Sequence, residues 1–342
     1  MSTTTRREVL KKIGASSAVL GIPSIAKSAT IKLKLSHFLP PRHQIHAELS
    51  AWAQGIYQKT EGEIEIEVFP TGQMGPPGRQ YDLARTGVAD ISFVPTALNP
   101  GRYPRVDCFS LPFLWSDKND LPTACSVASK ITTSLTELTA ADFPDTTQLY
   151  SICTTNAGWF MRDKDIQDPS DLSGLRIRPV SAVTSNMIKA LGASPTALPP
   201  PELSDALSKG VVDGAIFNFE GGRAFQLHQS VNFVSTLAFT AGYFTLVMND
   251  DSLSKLSETG RTAIFEASGI AAAEKVGALY DNAETSGREF FASNGIEIAD
   301  LVGEKSKRFR EVLQPVFEDQ IDAFKANGID ALEVVSKIQK LK

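Results

Sequence analysis

Residues 31–35 read Ile-Lys-Leu-Lys-Leu and residues 64–68 read Ile-Glu-Ile-Glu-Val, so both segments alternate apolar and charged side chains. This period of two is typical of a half-buried β-strand. Between them, residues 43–60 place apolar side chains three and four positions apart, which predicts a helix. A second helix over 79–87 and a strand over 91–94 follow. The order β-α-β-α-β predicts a sheet with helical crossovers and therefore an α/β protein.

A second α/β unit is predicted after residue 155. Strands are predicted over 175–178 and 211–217, with helices over 182–191 and 202–209 between them. Glycines directly follow both helices, which is a common helix-end signal. A chain of 342 residues is also long enough to form two domains.

The C-terminal third is predicted to be helical. Residues 252–293 contain no proline, and 40 residues of unbroken helix would span ~60 Å. That length exceeds one small domain, so this helix is predicted to bridge two. Residues 304–326 also have helical spacing, with a break predicted at Pro315 because proline lacks the backbone N–H.

The composition excludes several classes of protein. Hydrophobic residues make up 42% and charged residues 21% of the chain, an ordinary globular balance. The formal charge of −5 argues against a nucleic-acid-binding protein. No stretch of 18 uninterrupted apolar residues occurs, which argues against an integral membrane protein.

Residues 1–29 have the three-part organisation of an export signal. They carry a net charge of +4, and their apolar run over 13–25 is too short to span a bilayer. Residues 5–11, Thr-Arg-Arg-Glu-Val-Leu-Lys, resemble a twin-arginine signal. We therefore predict a periplasmic protein whose formal charge changes from −5 to −9 when the signal is removed. A soluble amphipathic helix is the alternative interpretation.

No catalytic residue, metal site or cofactor is predicted. The nucleophile-elbow, HExxH and P-loop patterns do not occur in the sequence. His43 and His46, three residues apart on a predicted helix, could share a metal ion, but no third ligand is identifiable. Cys108 and Cys125 could form a disulfide in an oxidising compartment, and buried thiols explain them at least as well.

Arg178 is the strongest candidate for ligand binding. It ends an apolar strand and precedes Pro179. A guanidinium group at a strand end, directed into a cleft, can bind a carboxylate through two parallel hydrogen bonds. On the strand pattern alone, a surface salt bridge is the alternative.

Several short motifs follow one another in a family-specific order. Residues 67–75 read Glu-Val-Phe-Pro-Thr-Gly-Gln-Met-Gly, and residues 172–178 read Leu-Ser-Gly-Leu-Arg-Ile-Arg. Further motifs occupy residues 86–91, 109–114 and 191–214. Together they resemble the solute-binding proteins of tripartite ATP-independent periplasmic (TRAP) transporters, the DctP family.

The resemblance implies a two-lobed α/β fold of the periplasmic-binding-protein (Venus-flytrap) type, with a long helix bridging both lobes. We expect lobe I to comprise residues 30–155 plus 244–283, and lobe II residues 156–243 plus 284–342. The lobes would close on a small carboxylate ligand, and the closed form would dock on the small and large TRAP permease subunits. The resemblance also implies that Arg178 pairs with the ligand carboxylate. A monomer is expected, with a dimer as the alternative.

Departures from the family pattern suggest the ligand. Trp159 follows the segment in which sialic-acid and C4-dicarboxylate binders often carry a second arginine, and the ligand-facing Asn becomes Phe217, or Asn218 in a shifted register. Without a second cation, a second ligand carboxylate would be buried unpaired. We therefore predict a keto, hydroxy or aromatic monocarboxylate. The predicted ligand-binding residues are Arg178, Trp159, Phe217, Asn218, Phe219, Tyr243, His37 and Thr96, of which the four aromatic ones could instead belong to the core.

Two other classes of function stay open at this point. A periplasmic sensing module for a receptor could use the same fold without transport. An exported enzyme acting on a carboxylic acid would need an acid–base pair or a metal site, and the sequence reveals neither.

Overall fold

The computed structural model describes residues 30–99 and 101–342, so the predicted export signal lies outside the described residues. The strands are β1 (Ile31–Ser36), β2 (Ile64–Phe69), β3 (Ile91–Pro95), β4 (Thr146–Thr154), β5 (Gly158–Met161), β6 (Arg176–Arg178), β7 (Ser194–Pro195), β8 (Gly214–Phe217), β9 (Phe233–Thr236), β10 (Gly242–Asn249) and β11 (Glu297–Asp300). The helices are α1 (Gln44–Lys59), α2 (Gln80–Arg85), α3 (Pro104–Asp107), α4 (Cys125–Ser134), α5 (Thr136–Thr139), α6 (Ala182–Ala190), α7 (Leu203–Ser208), α8 (Phe219–Ala224), α9 (Asp250–Ser254), α10 (Glu258–Glu266), α11 (Gly269–Ser293), α12 (Glu304–Ala326) and α13 (Ala331–Leu341). No helix in this part of the chain combines the length and the apolarity needed to cross a bilayer.

The first sheet has the strand order β2-β1-β3-β10-β4. Strand β1 pairs in parallel with β2 and β3, whereas β10 pairs antiparallel to β3 and β4. In β1, Leu33 and Leu35 are buried while Lys32 and Lys34 are exposed. The alternating pattern therefore produces the predicted half-buried strand, and the apolar face of α1 covers the buried side.

The second sheet has the strand order β11-β9-β5-β8-β6-β7. Strand β6 is parallel to β8, and Arg178 pairs with Ala215 in this register. Arg178 and Phe217 therefore both lie at the carboxyl ends of neighbouring parallel strands, which is where open α/β sheets usually bind ligands. The chain passes from the first sheet to the second at residues 155–157 and returns at residues 237–241.

Helix α11 contacts both units through two glycines. A Cβ atom on Gly277 would lie 2.5 Å from the Cα of Ser126 at the start of α4. A Cβ atom on Gly287 would lie 2.9 Å from the backbone of Phe219 at the start of α8. Close approach to one helix of each unit therefore requires glycine at both positions, and the predicted bridging helix is confirmed.

Two helix predictions are wrong in detail. Residues 252–293 form three helices instead of one, and α11 begins at Gly269, whose φ of +72° breaks the helical path. Its 25 residues span about 38 Å. Helix α12 continues through Pro315 without the predicted break. Pro315 and Glu311 are both exposed, so water can satisfy the Glu311 carbonyl that loses its partner.

The three cysteines, all within the described residues, are buried free thiols. Cys108 and Cys125 therefore follow the buried-thiol interpretation and form no disulfide in this structure. Burial raises the pKa of the Cys108 thiol to about 12, which leaves it inert at neutral pH.

Candidate functional site

A small cavity, here called the inner cavity, lies between the two sheets and has a volume of about 80 Å³. The first unit contributes Phe38, His43 and Phe244 to its wall, and the second contributes Arg178, Phe217 and Glu220. A cavity of this volume suits a small organic molecule rather than a peptide or a sugar chain.

Arg178 is a buried cation at the wall of this cavity, with 4% of its surface exposed. Its Nε donates a hydrogen bond to the carbonyl of Leu198 at 3.2 Å, and its guanidinium carbon lies 5.3 Å from the centre of the Phe217 ring. No carboxylate among the described residues lies within ion-pair distance of it. Burial lowers its pKa to about 10, so the group is still charged at neutral pH. A ligand anion is the missing partner that this arrangement favours.

Arg176, two residues earlier on the same strand, has a different environment. Its Nη2 and Nε donate to the two carboxylate oxygens of Asp213 at 2.7 and 3.0 Å, and the pair lies at the surface. The Arg176 guanidinium lowers the pKa of Asp213. The salt-bridge alternative considered for Arg178 therefore describes Arg176 instead.

Three further predicted residues line the inner cavity with Arg178: Phe217, Asn218 and Tyr243. The Tyr243 hydroxyl hydrogen-bonds with the Ser151 hydroxyl, so its ring is held in place beside the cavity. Asn218 immediately precedes α8, and its amide donates a hydrogen bond to Glu284 of α11. Four of the eight predicted residues are thus brought together.

Two predicted aromatic residues lie in the core instead. Trp159 is fully buried and stacks on Phe239, with ring centres 4.8 Å apart. Phe219 packs on Phe160 and Phe291 in the core of the second unit. Because side chains alternate across a strand, Trp159 of β5 points toward α12 and not toward the cavity. Neither residue lines the inner cavity.

Two predicted polar residues also lie behind the cavity lining. The Nδ1 of His37 accepts a hydrogen bond from the Leu39 amide, so its Nε2–H is directed at the Nδ1 of His46, 3.0 Å away. Burial, together with neighbouring histidines, lowers the pKa of His37 to about 4. The Thr96 hydroxyl donates to the carbonyl of Tyr243 at 3.0 Å. Both residues support the wall of the cavity without forming it.

His43 and Glu220 line the inner cavity but were not predicted to bind ligand. The Nε2 of His43 lies 2.8 Å from the Oε1 of Glu220, so this contact crosses from the first unit to the second. In the sequence, His43 stands out only as a possible metal ligand beside His46. Glu220 follows the family-like motifs over residues 191–214, but its position in sequence does not reveal which helix its side chain faces.

A larger groove, here called the outer groove, has a volume of about 680 Å³ and runs along α11 on another side of the molecule. Asp281 accepts hydrogen bonds from the Cys125 and Ser126 amides at 2.6 and 3.0 Å, which caps α4. Arg288 and Asp300 form a double hydrogen bond at 2.8 and 2.9 Å. The charged side chains of this groove are therefore compensated within the described chain.

Glu284 is the buried carboxyl group of the outer groove. It accepts hydrogen bonds from the Phe219 and Glu220 amides at 3.0 Å each, and thereby caps α8. Burial raises the pKa of Glu284 to about 8, although these hydrogen bonds act in the opposite direction. Asp281 and Glu284 lie three residues apart on α11 and cap one helix of each unit.

Residues 35–323 match the profile of the bacterial extracellular solute-binding proteins, family 7, known as DctP. The chain belongs to the DctP family. Proteins of this family are periplasmic solute-binding proteins. The match spans both sheets and includes Arg178, His43 and Glu220.

Individual relatives cover almost the whole chain. The C4-dicarboxylate-binding periplasmic protein DctP of Rhodobacter capsulatus is 24% identical, over 97% of this chain and 99% of its own length. A marine-metagenome TRAP solute-binding protein, specific for aromatic acid ligands and solved with 3-hydroxybenzoate, is 27% identical with a TM-score of 0.85; the alignment covers 92% of this chain and 98% of that one. A TRAP solute-binding protein from Rhodoferax ferrireducens T118, solved with copurified benzoate, is 25% identical with a TM-score of 0.84, over 91% of this chain and 97% of that one. The predicted family, the two-lobed α/β fold and the role as a TRAP solute-binding protein are confirmed.

Proposed function

We propose that this protein binds a small aromatic or hydroxylated monocarboxylate in the inner cavity and delivers it to a TRAP permease. The observation that carries the proposal is Arg178, a buried guanidinium group at an aromatic cavity, without a carboxylate partner in the described chain. A ligand carboxylate would accept two parallel hydrogen bonds from it. Exclusion of water from the closed cavity strengthens this ion pair.

The charges of the cavity wall favour a single ligand carboxylate. Arg178 is the one lysine or arginine among the described residues that line the inner cavity, and Glu220 contributes a negative group to the same wall. A second ligand carboxylate would be buried without a cation and near another anion, which is unfavourable. The name of the Rhodobacter relative refers to dicarboxylates, but at 24% identity the two cavities can differ in these residues.

The rings around Arg178 favour an aromatic ligand. Phe217 lies beneath the guanidinium group, and Phe38, Phe225, Phe244 and Tyr280 complete an apolar wall. Aromatic side chains prefer offset or edge-to-face contacts with other rings, and such contacts add to the free energy of burial. The aromatic acids bound by two of the structural neighbours agree with this choice.

We propose transport rather than catalysis because the cavity offers Arg178 to bind a carboxylate and lies between two units that can close on a ligand. Lobe I would comprise residues 30–155 plus 244–283, and lobe II residues 156–243 plus 284–342. Helix α13 contacts α4 as well as α12, so the C-terminal segment of lobe II would extend over lobe I. Closure of the lobes would create the surface that the permease recognises. Export by the twin-arginine-type signal and action as a monomer complete the proposal.

Isothermal titration calorimetry of the purified protein tests the ligand class. Benzoate, 3-hydroxybenzoate, mandelate, pyruvate, succinate and sialic acid should be titrated separately after removal of copurified ligand by partial unfolding and refolding. We expect at least one aromatic or hydroxy monocarboxylate to bind at least 100-fold more tightly than succinate and sialic acid. Tighter binding of succinate or sialic acid than of every monocarboxylate would disprove the proposed specificity.

A further inference from the structure

We propose that Glu220, oriented by His43, is a specificity-determining residue that recognises a hydroxyl group on the ligand. The inference rests on the proposed function and narrows it to hydroxylated aromatic monocarboxylates. Glu220 and Arg178 both line the inner cavity and form no ion pair with each other. The ligand would therefore use Arg178 for its carboxylate and Glu220 for a second polar group.

The contacts of His43 indicate which oxygen of Glu220 is available. The Nδ1 of His43 accepts from the Ile45 amide at 3.2 Å, as the N-terminal cap of α1. The ring hydrogen is therefore on Nε2, which lies 2.8 Å from the Oε1 of Glu220. The Oε2 of Glu220 accepts no hydrogen bond from any residue that the structure describes.

The side chains that carry this acceptor and orient it are largely enclosed by protein. The side chains of His43 and Glu220 are 2% and 9% exposed. An enclosed carboxylate oxygen without a donor loses the hydration that it has in water, so a ligand O–H group would restore a favourable interaction. Hydrogen bonds to a charged group are also stronger than those between neutral groups.

Tyr280 supplies a second polar atom at the same place. Its ring lines the inner cavity, and its hydroxyl has no hydrogen-bond partner within residues 30–99 and 101–342. Burial raises the pKa of Tyr280, and the nearby negative charge of Glu220 adds to this effect. A ligand hydroxyl could donate to Glu220 and accept from Tyr280, which uses both of its hydrogen-bonding roles.

The chemistry of the wall favours a hydroxyl over other polar groups. A second carboxylate would be repelled by Glu220. An ammonium group would share the cavity with the Arg178 cation, and the polar His43 ring already lies 2.8 Å from one Glu220 oxygen. A neutral hydroxyl avoids both conflicts.

The test compares acids that differ only in a hydroxyl group. The wild-type protein should be titrated with benzoate, 3-hydroxybenzoate and 4-hydroxybenzoate, and with phenylacetate and mandelate. We expect one hydroxylated acid to bind about 10- to 100-fold more tightly than its parent, as for a hydrogen bond to a charged group. In Glu220→Ala this ratio should fall below about threefold.

Matched variants separate recognition from general damage to the cavity. His43→Asn keeps an acceptor for the Ile45 amide and keeps the Glu220 carboxylate, so it removes only the contact that orients Glu220. It should reduce the hydroxyl preference by a smaller factor than Glu220→Ala. Glu220→Gln preserves the size of the side chain and should reduce the ratio several-fold, which covers the case in which Glu220→Ala folds poorly. Tyr280→Phe should reduce the ratio by a smaller factor.

Two sets of results distinguish the inference from the function on which it rests. The inference alone is overturned if the parent acids bind in an Arg178-dependent way, but the wild type shows no preference for hydroxylated acids. The same holds if that preference is unchanged in Glu220→Ala. Failure of every acid to bind, or binding that Arg178→Ala leaves intact, overturns the proposed function and the inference together.

Discussion

The inner cavity and the outer groove both lie where the two units meet, and they differ in how their charges are compensated. The outer groove is the larger, at about 680 Å³ against about 80 Å³. Its Asp281, Arg288 and Asp300 all have partners in the described chain, whereas Arg178 in the inner cavity has none with a negative charge. A buried charge that the protein itself does not neutralise identifies a binding site better than volume does, because only a ligand can relieve it.

The largest expected effect contrasts the arginines of the two regions. Arg178→Ala should weaken binding of the preferred acid by about 2–5 kcal/mol, or roughly 30-fold or more, because the ligand carboxylate would be buried without its partner. Arg288→Ala in the outer groove and Arg176→Ala on the same strand as Arg178 should change the affinity less than threefold. Calorimetric titration of the three variants checks this, and equal losses for Arg178→Ala and Arg288→Ala would remove the distinction between the regions.

The second effect concerns the pH dependence of stability through Glu284. Its pKa is raised to about 8 in the folded protein, so between about pH 4.5 and 8 the folded state retains a proton that the unfolded state releases. Protonated Glu284 therefore stabilises the folded state fully below about pH 4.5. This stabilisation, on the order of a few kcal/mol, is lost as the pH rises through 8. Urea denaturation from pH 5 to 9 measures it.

Glu284→Gln provides the comparison for that experiment. The free energy of unfolding of the variant should lack this decline. The value for the wild type minus the value for the variant should therefore decrease as the pH rises. Parallel curves would show that Glu284 is already ionised in the folded protein. The affinity of Glu284→Gln for the acid at fixed pH should be close to that of the wild type, because the acid binds in the inner cavity.

A third effect tests whether the acids of the outer groove are structural. Asp281→Ala removes the cap of α4 and leaves two amides without their acceptor, so it should lower the free energy of unfolding by about 2 kcal/mol. Asp281→Asn retains one acceptor oxygen and should lose about half as much. Ligand affinity should stay within threefold of wild type for both, and a larger drop in affinity than in stability would make the groove part of the binding site.

The smallest effect concerns helix packing and has opposite signs at two glycines. Gly277→Ala should destabilise the protein by about 1–2 kcal/mol, because the new methyl group meets α4 at 2.5 Å. Gly55→Ala, on the exposed side of α1 with no atom within 4 Å, should stabilise it by about 0.5–1 kcal/mol. Thermal and urea unfolding of the pair provide the measurement, and destabilisation by both would point to helix strain in general instead of close packing.

Much of the architecture follows from local patterns. The alternation in β1 and β2 predicts half-buried strands because one face of the sheet meets α1 and the other side chains meet solvent. Helix spacing predicts α1, α6 and α7 to within one or two residues. The prediction of a break at Pro315 was wrong. The free-energy cost of proline inside a helix depends on whether water reaches the carbonyl that loses its hydrogen bond, here that of Glu311.

The binding site was only partly predictable. Arg178 stood out because an arginine at the end of an apolar strand is unusual and because its surrounding motif is family-like. Trp159 was misplaced, because alternation along β5 does not reveal which face of the sheet meets α12. His43 and Glu220 are 177 residues apart in sequence, and no local pattern connects them.

The amino-acid sequence by itself determined the family, the two α/β units and the one arginine most suited to a carboxylate, since these depend on local periodicity and on ordered motifs. The tertiary structure decided which charges are compensated and which are not. Arg176 and Arg178 are chemically identical and two residues apart, yet one meets Asp213 at the surface and the other faces the inner cavity. The reason is physical: the free energy of a charge depends on its burial and on its neighbours, and both arise only when distant segments pack together.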